Sequence, residues 1–200
     1  MKKIPTLFKR EFEGHDIKHI FPEVVPGMEW VLEGEGIATE KMDGACCAVI
    51  GGKFFRRYDA KRGKTPPAGA IPCCEPDPVT GHWPHWLPVT EEDPSSRWFL
   101  EAYRNTVRKG GDVSDGTYEV IGPHFQKNPY HLPEDVIERH GVREIVVPRD
   151  FEGLRQWLHD HWVEGIVFWK DREPKCKIKR SDFGFRWGTD FEDAFKKENT

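Results

Sequence analysis

Two short runs, "ACCAVI" (45–50) and "KFFRRYD" (53–59), are built from residues that suit a pleated strand, and only Gly51 and Gly52 lie between them. A glycine pair tolerates positive φ at both central turn positions, so the pattern predicts a β-hairpin. "GTYEVIGP" (116–123), "EGIVFWK" (164–170) and "KCKIKR" (175–180) read as further strands, the last two separated by the turn residues "DREP". Helical spacing occurs twice. Trp98, Phe99, Ala102, Tyr103 and Val107 share one side of a helix that Ser95 or Ser96 caps, that runs to about Lys109 and that Gly110–Gly111 stops. Leu154, Trp157, Leu158 and Trp162 recur at helical spacing through "FEGLRQWLHDHW" (151–162). "PEDVIERHG" (133–141) has the Pro start and Gly end of a short helix, and "DFEDAFKKENT" (190–200) is either a terminal helix or frayed. The stretch from Ala60 to Ser96 is crowded with Pro and Gly and reads as a long irregular excursion. The sum is an α+β fold with a leaning toward antiparallel pairing and no internal repeat.

Composition adds bounds to this picture. A chain of 200 residues is long enough for one domain, 1–200, with one core that removes roughly two-thirds of the unfolded surface from water. Eight Trp and thirteen Phe supply large core-forming rings in a chain that is otherwise polar. The formal charge of -4 excludes a uniformly basic, histone-like protein but leaves room for a basic face. No apolar run approaches bilayer length and the start lacks an apolar signal core, so a soluble, cytoplasmic protein is expected. Five Cys, two pairs of them adjacent, suit reduced thiols better than a disulfide framework.

Candidate chemistry centres on Lys41, which follows an apolar-and-Thr run and precedes Asp43-Gly44 by two residues. Lys-x-Asp-Gly alone describes many surface turns. Downstream, however, Glu119 sits inside one predicted strand and Glu164 opens another, each among apolar or aromatic neighbours. A carboxylate placed there points outward from an edge strand or meets a cation or donor. Lys177 and Lys179, two apart, share one face of a strand, which by itself describes an ordinary solvated basic face. Cys73, Cys74, His82 and His85 are zinc-ligand types, but adjacent cysteines do not easily reach one tetrahedral ion, which weighs against zinc.

Taken in order, Lys41 to Gly44, then Arg57, "GTYEVIG", "EGIVFW" and "KCKIKR" resemble the motifs of the covalent nucleotidyltransferase superfamily of ATP-dependent ligases and capping enzymes. "ATEKMDGACC", "GHWPHWLPV", "YEVIGPHFQKNPYHL", "EGIVFW" and "KIKRSDFGFRW" narrow the resemblance to the cellular RNA ligase 1 family of 5'-to-3' ligases, over about Ile37 to Trp187. That resemblance implies an ATP-grasp-like nucleotidyltransferase domain of largely antiparallel sheets flanked by helices. Against that pattern the region before "GTYEVIG" is shortened, and a single nucleotidyltransferase domain without a C-terminal OB-fold is expected.

The resemblance also implies roles. Lys41 is the nucleophile that takes AMP from ATP, and Lys177 and Lys179 contact the α-phosphate. Arg57 and Glu119 fix the ribose and a nearby phosphate, Glu40 lies where relatives contact adenine, and Gly44 lets the backbone approach the nucleotide. Glu164, with Glu119, holds Mg2+ (or Mn2+), which prefers hard oxygen ligands and substrate phosphates. Only about one unperturbed lysine in 2,500 is neutral at pH 7, so such a site needs positive charge and partial burial around the amine. The expected substrate is RNA with 5'-phosphate and 3'-hydroxyl ends, the expected role RNA repair, and the expected state a monomer. Arg62 and Lys64 in "FFRRYDAKRGK" either track its backbone or belong to a solvated hairpin. A DNA ligase, a GTP-dependent capping enzyme and a catalytically silent nucleic-acid-binding relative are the competing readings. The last of these fits poorly with a chain that keeps Lys41, Glu119, Glu164, Lys177 and Lys179 together.

Overall fold

The computed structural model describes residues 3–14, 16–61 and 63–188. The strands are β1 (Phe8–Glu13), β2 (Asp16–Val24), β3 (Ile37–Lys41), β4 (Ala45–Ile50), β5 (Lys53–Ala60), β6 (Ile71–Pro72), β7 (Trp83–Pro88), β8 (Gly116–Ile121), β9 (Val136–Arg139), β10 (Glu144–Ile145), β11 (Gly165–Lys170) and β12 (Glu173–Lys179). The helices are α1 (Arg97–Arg108) and α2 (Phe151–Asp160). Every strand pair is antiparallel, so the chain has a mixed α+β fold of antiparallel sheets with few helices. It divides into two compact units, one built on Asp43–His140 and the other on Ile4–Met42 with the chain from Gly141 onward. Where length alone suggested a single core, the buried apolar side chains of the described residues form three clusters.

The first unit is a six-stranded sheet in the order β6-β7-β5-β4-β8-β9. Gly51 and Gly52 close the β4–β5 hairpin at φ 57° and 72°, and both N–H groups donate to the Asp115 carboxylate. Alternation sends Cys47, Val49, Tyr118, Val120 and Ile137 to one face, where α1 covers them with Ala102, Phe99 and Tyr103. Ala48, Phe55 and Trp86, with Cys46, populate the opposite face. The start of α1 differs from expectation. Asp93 makes the cap, accepting from the Ser95 N–H ahead of a short 3-10 turn, and Ser96 makes no side-chain cap.

Two other expectations in this unit fail for identifiable reasons. "PEDVIERHG" is strand β9, because Val136–Arg139 pairs along the free edge of β8, and tertiary pairing overrides its helix-like ends. The excursion after Ala60 is not wholly irregular, since β7 pairs with β5 along its length. The Val89 N–H donates to Phe54 on β5. Alternation therefore turns positions 84 and 88, both Pro, toward the side where β6 pairs only with His85 and Trp86.

The second unit holds the four-stranded sheet β10-β3-β11-β12, the β1–β2 hairpin and α2. Ala38, Ile166, Phe168, Cys176 and Ile178 turn to one face and pack with Leu154 and Leu158 of α2 and with Leu7, Phe8 and Val31. Pro5 and Leu7 exchange hydrogen bonds with Lys177, covering the outer edge of β12. α2 stops at Asp160, so Trp162 lies beyond the helix that its spacing suggested. Arg180, 1% exposed, meets the cost of burying a charge by donating to the carbonyls of Leu158, His159, His161 and Arg186, three of them at the end of α2. The segment expected as a terminal helix, 190–200, and Arg62 lie outside the described residues.

Candidate active site

In the second unit β11 is flanked by β3 and β12, and register places the motif residues in rows. Lys41 pairs with Gly165, and Gly165 with Lys179. One step along, Thr39 pairs with Val167 and Val167 with Lys177. Because Ala38, Ile166 and Ile178 face the core, Lys41, Lys177 and Lys179 share the other face. Two strand spacings, roughly 10 Å, separate Lys41 from Lys179 in their row. Gly165 between them carries no side chain, and a Cβ there would run into the Ile178 carbonyl oxygen and the Lys179 backbone.

The Lys41 Nζ donates to Glu164 Oε2 at 2.5 Å, with the two side chains 23% and 12% exposed. It also reaches the Met42 carbonyl at 3.4 Å. Glu164 is held from behind, since the Arg180 N–H donates to its carbonyl at 3.0 Å. The Lys179 N–H donates to Asp182 Oδ2 at 2.8 Å, and Arg10 holds Asp182 Oδ1 at 2.9 Å. Glu40 pairs with Ile166, which puts it on the core side of the sheet, opposite to Lys41. There its carboxylate lies 3.5 Å from Arg143.

In the first unit the chain after Met42 forms a turn held by three bonds. The Asp43 N–H donates to the Tyr130 hydroxyl at 2.6 Å, the Gly44 N–H to Glu119 Oε1 at 3.1 Å, and the Gln126 carboxamide to the Gly44 carbonyl at 3.2 Å. Gly44 also has a requirement inside the protein. A Cβ would overlap the Val120 carbonyl oxygen and the Ile121 side chain, so glycine permits close approach to β8. Glu119 lies on β8 between Cys46 of β4 and Glu138 of β9, so it is on an interior strand. Its second oxygen accepts from His140 Nε2 at 3.0 Å, and His140 Nδ1 faces the Thr117 hydroxyl at 3.0 Å.

Arg57, on β5, donates to Asp59 at 2.8 Å, and Asp59 also meets His82 at 3.3 Å. Burial acts to lower the Arg57 guanidinium, but the bond and charge of Asp59 outweigh it and hold the group above its ordinary value. Burial pushes the Cys46 thiol up to about 12, Glu119 adds to the rise and Arg57 opposes it. Both Glu119 and Arg57 therefore act on the one thiol. Of the residues weighed for zinc, His85 is buried with Nδ1 donating to the Trp83 carbonyl, and His82 faces Asp59. Among the described residues, no three His, Cys, Asp or Glu gather as metal ligands.

The chain is similar to a ligase. RNA ligase 1 of Danio rerio is 27% identical over 141 residues, a match that covers 54% of this chain. The chain spans 42% of that relative's length. No protein-family model matches it.

Four contributors escaped the reading by spacing. His140 follows β9 and would have been found had "PEDVIERHG" been read as a strand, which puts its end beside Glu119. Asp182 acts through backbone three residues before it, a contact that periodicity does not encode. Gln126 and Tyr130 lie in a loop, within the stretch "YEVIGPHFQKNPYHL" that carries the resemblance, and spacing singles out neither. No helix of the described residues is long and apolar enough to cross a membrane.

Proposed function

We propose that this chain is an ATP-dependent RNA ligase that joins RNA 5'-phosphate and 3'-hydroxyl ends through a lysyl-AMP intermediate, in a nucleotidyltransferase fold of the ATP-grasp-like kind. The observation that carries the reading is the row Lys41–Gly165–Lys179, with Lys177 on the same face and Glu164 at 2.5 Å from the Lys41 amine. A lone lysine paired with a carboxylate is commonplace. Three lysines on the sheet face turned away from the core, with a glycine between Lys41 and Lys179, suit a triphosphate. The similarity to RNA ligase 1 points to the same chemistry.

In the reaction the Lys41 amine attacks the α-phosphorus of ATP, a P–N bond forms and pyrophosphate leaves with the bonding pair of the broken P–O bond. The ion pair with Glu164 must first open, and the ammonium must release one proton to water, because its lone pair is otherwise engaged. Lys177 and Lys179 stabilise the charge that builds on the phosphoryl oxygens, the main contribution a protein makes to phosphoryl transfer. Mg2+ needs only one or two protein carboxylates beside substrate phosphates, and the half-enclosed Glu164 fits that requirement. Bound there, Mg2+ or Mn2+ would supply positive charge at the phosphates. Glu119 has one oxygen on the Gly44 N–H and the other on His140, so we assign the metal to Glu164 and leave Glu119 a positioning role.

Arg57 and Glu119 are assigned to ribose and phosphate by the resemblance alone. The Glu40 carboxylate turns away from the Lys41 face, so we assign any adenine contact at this position to its backbone. AMP then passes to the RNA 5'-phosphate, and a 3'-hydroxyl displaces it to seal the strand. The cytoplasm, where single-stranded RNA breaks need repair, is the proposed setting, and a monomer the proposed state. The substrate test offers 5'-phosphorylated single-stranded RNA and the matching DNA with ATP and Mg2+. Joining or circularisation of RNA is expected. Joining of DNA alone would refute the RNA assignment, and activity with GTP in place of ATP would move the reading to capping chemistry.

A further inference from the structure

The loop after β8 does something that neither the motif chemistry nor the resemblance assigns. Gln126, Lys127 and Asn128 take φ of 46°, 59° and 53°, and His131 takes 50°. Three consecutive non-glycine residues in the left-handed region are disfavoured by the Cβ–carbonyl clash, so the surroundings must impose them. The imposing contacts are present. Asn128 exchanges hydrogen bonds with Leu132, its amide donating to the Leu132 carbonyl at 2.9 Å and its oxygen accepting from the Leu132 N–H at 3.0 Å. Pro129 is buried. Asp135, 1% exposed, accepts from the His124 N–H at 3.1 Å and faces His124 Nδ1 at 2.6 Å, while Asn105 holds its carbonyl at 3.0 Å.

What the strained path gains is the placement of two side chains on one short turn. Gln126 at its start reaches the Gly44 carbonyl, and Tyr130 at its end accepts from the Asp43 N–H. We propose that Tyr130 and Gln126 are positioning residues that clamp the Asp43–Gly44 turn and thereby fix the end of the strand that carries Lys41. The inference rests on the lysyl-AMP reading for its effect on rate, though not for its effect on the turn itself. Asp43 follows Lys41 by two residues, so a turn held at Asp43 restrains the chain that leaves β3. An unclamped turn would let the nucleophile sample unproductive geometries without changing how the nucleotide binds.

The test uses the full chain with Tyr130→Phe, which removes only the hydroxyl, and Gln126→Ala, at an exposed position away from the buried clusters. Amide hydrogen exchange is followed at Asp43 and Gly44, and single-turnover labelling from α-labelled ATP is followed over a range of ATP concentrations. Tyr130→Phe should speed exchange at Asp43 and slow label formation on the order of tenfold at saturating ATP, with the half-saturating ATP concentration unchanged. Gln126→Ala should shift both readouts in the same direction by less, with an unchanged melting temperature. Unchanged exchange at Asp43 in Tyr130→Phe overturns the clamp. A rate loss that disappears on raising ATP also overturns it, because it assigns Tyr130 to binding. If the unaltered chain takes no label, the ATP reading fails and the exchange comparison alone decides the clamp.

Discussion

The two sheets use their motif residues in opposite ways. On the four-stranded sheet of the second unit, Lys41, Lys177 and Lys179 lie on the face away from the core, and Glu164 is engaged by Lys41 itself. On the six-stranded sheet of the first unit, Glu119 is spent on a backbone N–H and a histidine, and Arg57 on the neighbouring Asp59. The second-unit set carries its charge on the sheet face away from the core; the first-unit set is engaged with backbone and neighbouring side chains. The difference teaches that a motif carboxylate is not defined by its residue type. Glu164 and Glu119 are both half-buried on or beside interior strands, yet one faces an amine and the other a peptide group.

The contrast can be broken most strongly at the charged set. Lys41→Ala should abolish label from ATP, and Lys179→Ala should cut its rate by about 100-fold or more, since preorganised charge is the largest contribution to such reactions. Melting temperatures of both variants should stay near that of the unaltered chain, because these side chains leave the core untouched. Equal losses of stability and rate in Lys179→Ala would remove the distinction between the sheets.

Glu119 should show the reverse balance. Glu119→Ala leaves the Gly44 N–H and His140 without their acceptor, at a cost of about 1–3 kcal/mol in denaturant unfolding. Glu119→Gln keeps one oxygen for Gly44 and should recover most of that stability. A Glu119→Ala variant as stable as the unaltered chain would contradict the positioning role.

A third comparison sets two glycines side by side. Gly44 and Gly165 each bring a strand end against a neighbouring carbonyl, and alanine at either site would overlap backbone rather than a movable side chain. Each Ala variant should lose about 1–3 kcal/mol, read from denaturant midpoints. Gly51→Ala should lose stability from its φ of 57° alone, since nothing lies within reach of its Cβ.

A last contrast is in pH dependence, and it touches both units. Burial holds the Cys46 thiol at about 12, with Glu119 adding to the rise, and burial likewise holds Cys176 at about 12. The unfolded chain releases these protons near pH 8.5, so above that point the folded state binds more protons and its stability falls as pH rises toward 12. Denaturant midpoints should therefore drop between about pH 8 and pH 10. Cys46→Ala should flatten the slope by the share of that one thiol, leaving those of Cys47 and Cys176 in place, and an unaltered slope would place the effect elsewhere.

In the second unit β11 and β12 were legible before the structure, because Lys-x-Lys on a strand and a carboxylate ahead of an apolar run are statements about a period of two, whereas β1, β2 and β10 were not. The hairpin at Gly51–Gly52 was legible for the same reason, turn chemistry being local. The first unit yielded less. β9 looked helical at its ends and is a strand only because β8 offers an edge, and β7 hid behind two prolines whose tolerance depends on which neighbour each N–H position faces. The contacts of Tyr130, Gln126 and His140 depend on where loops return in space. Spacing along the chain carries no such information.

The most direct measurement incubates the full chain with Mg2+ and ATP labelled at the α-phosphate, denatures it and maps the label by mass spectrometry of its peptides. The account predicts one AMP on the peptide containing Lys41, bound through an acid-labile P–N bond and absent from Lys41→Ala. No label, or label that persists in Lys41→Ala, would contradict it.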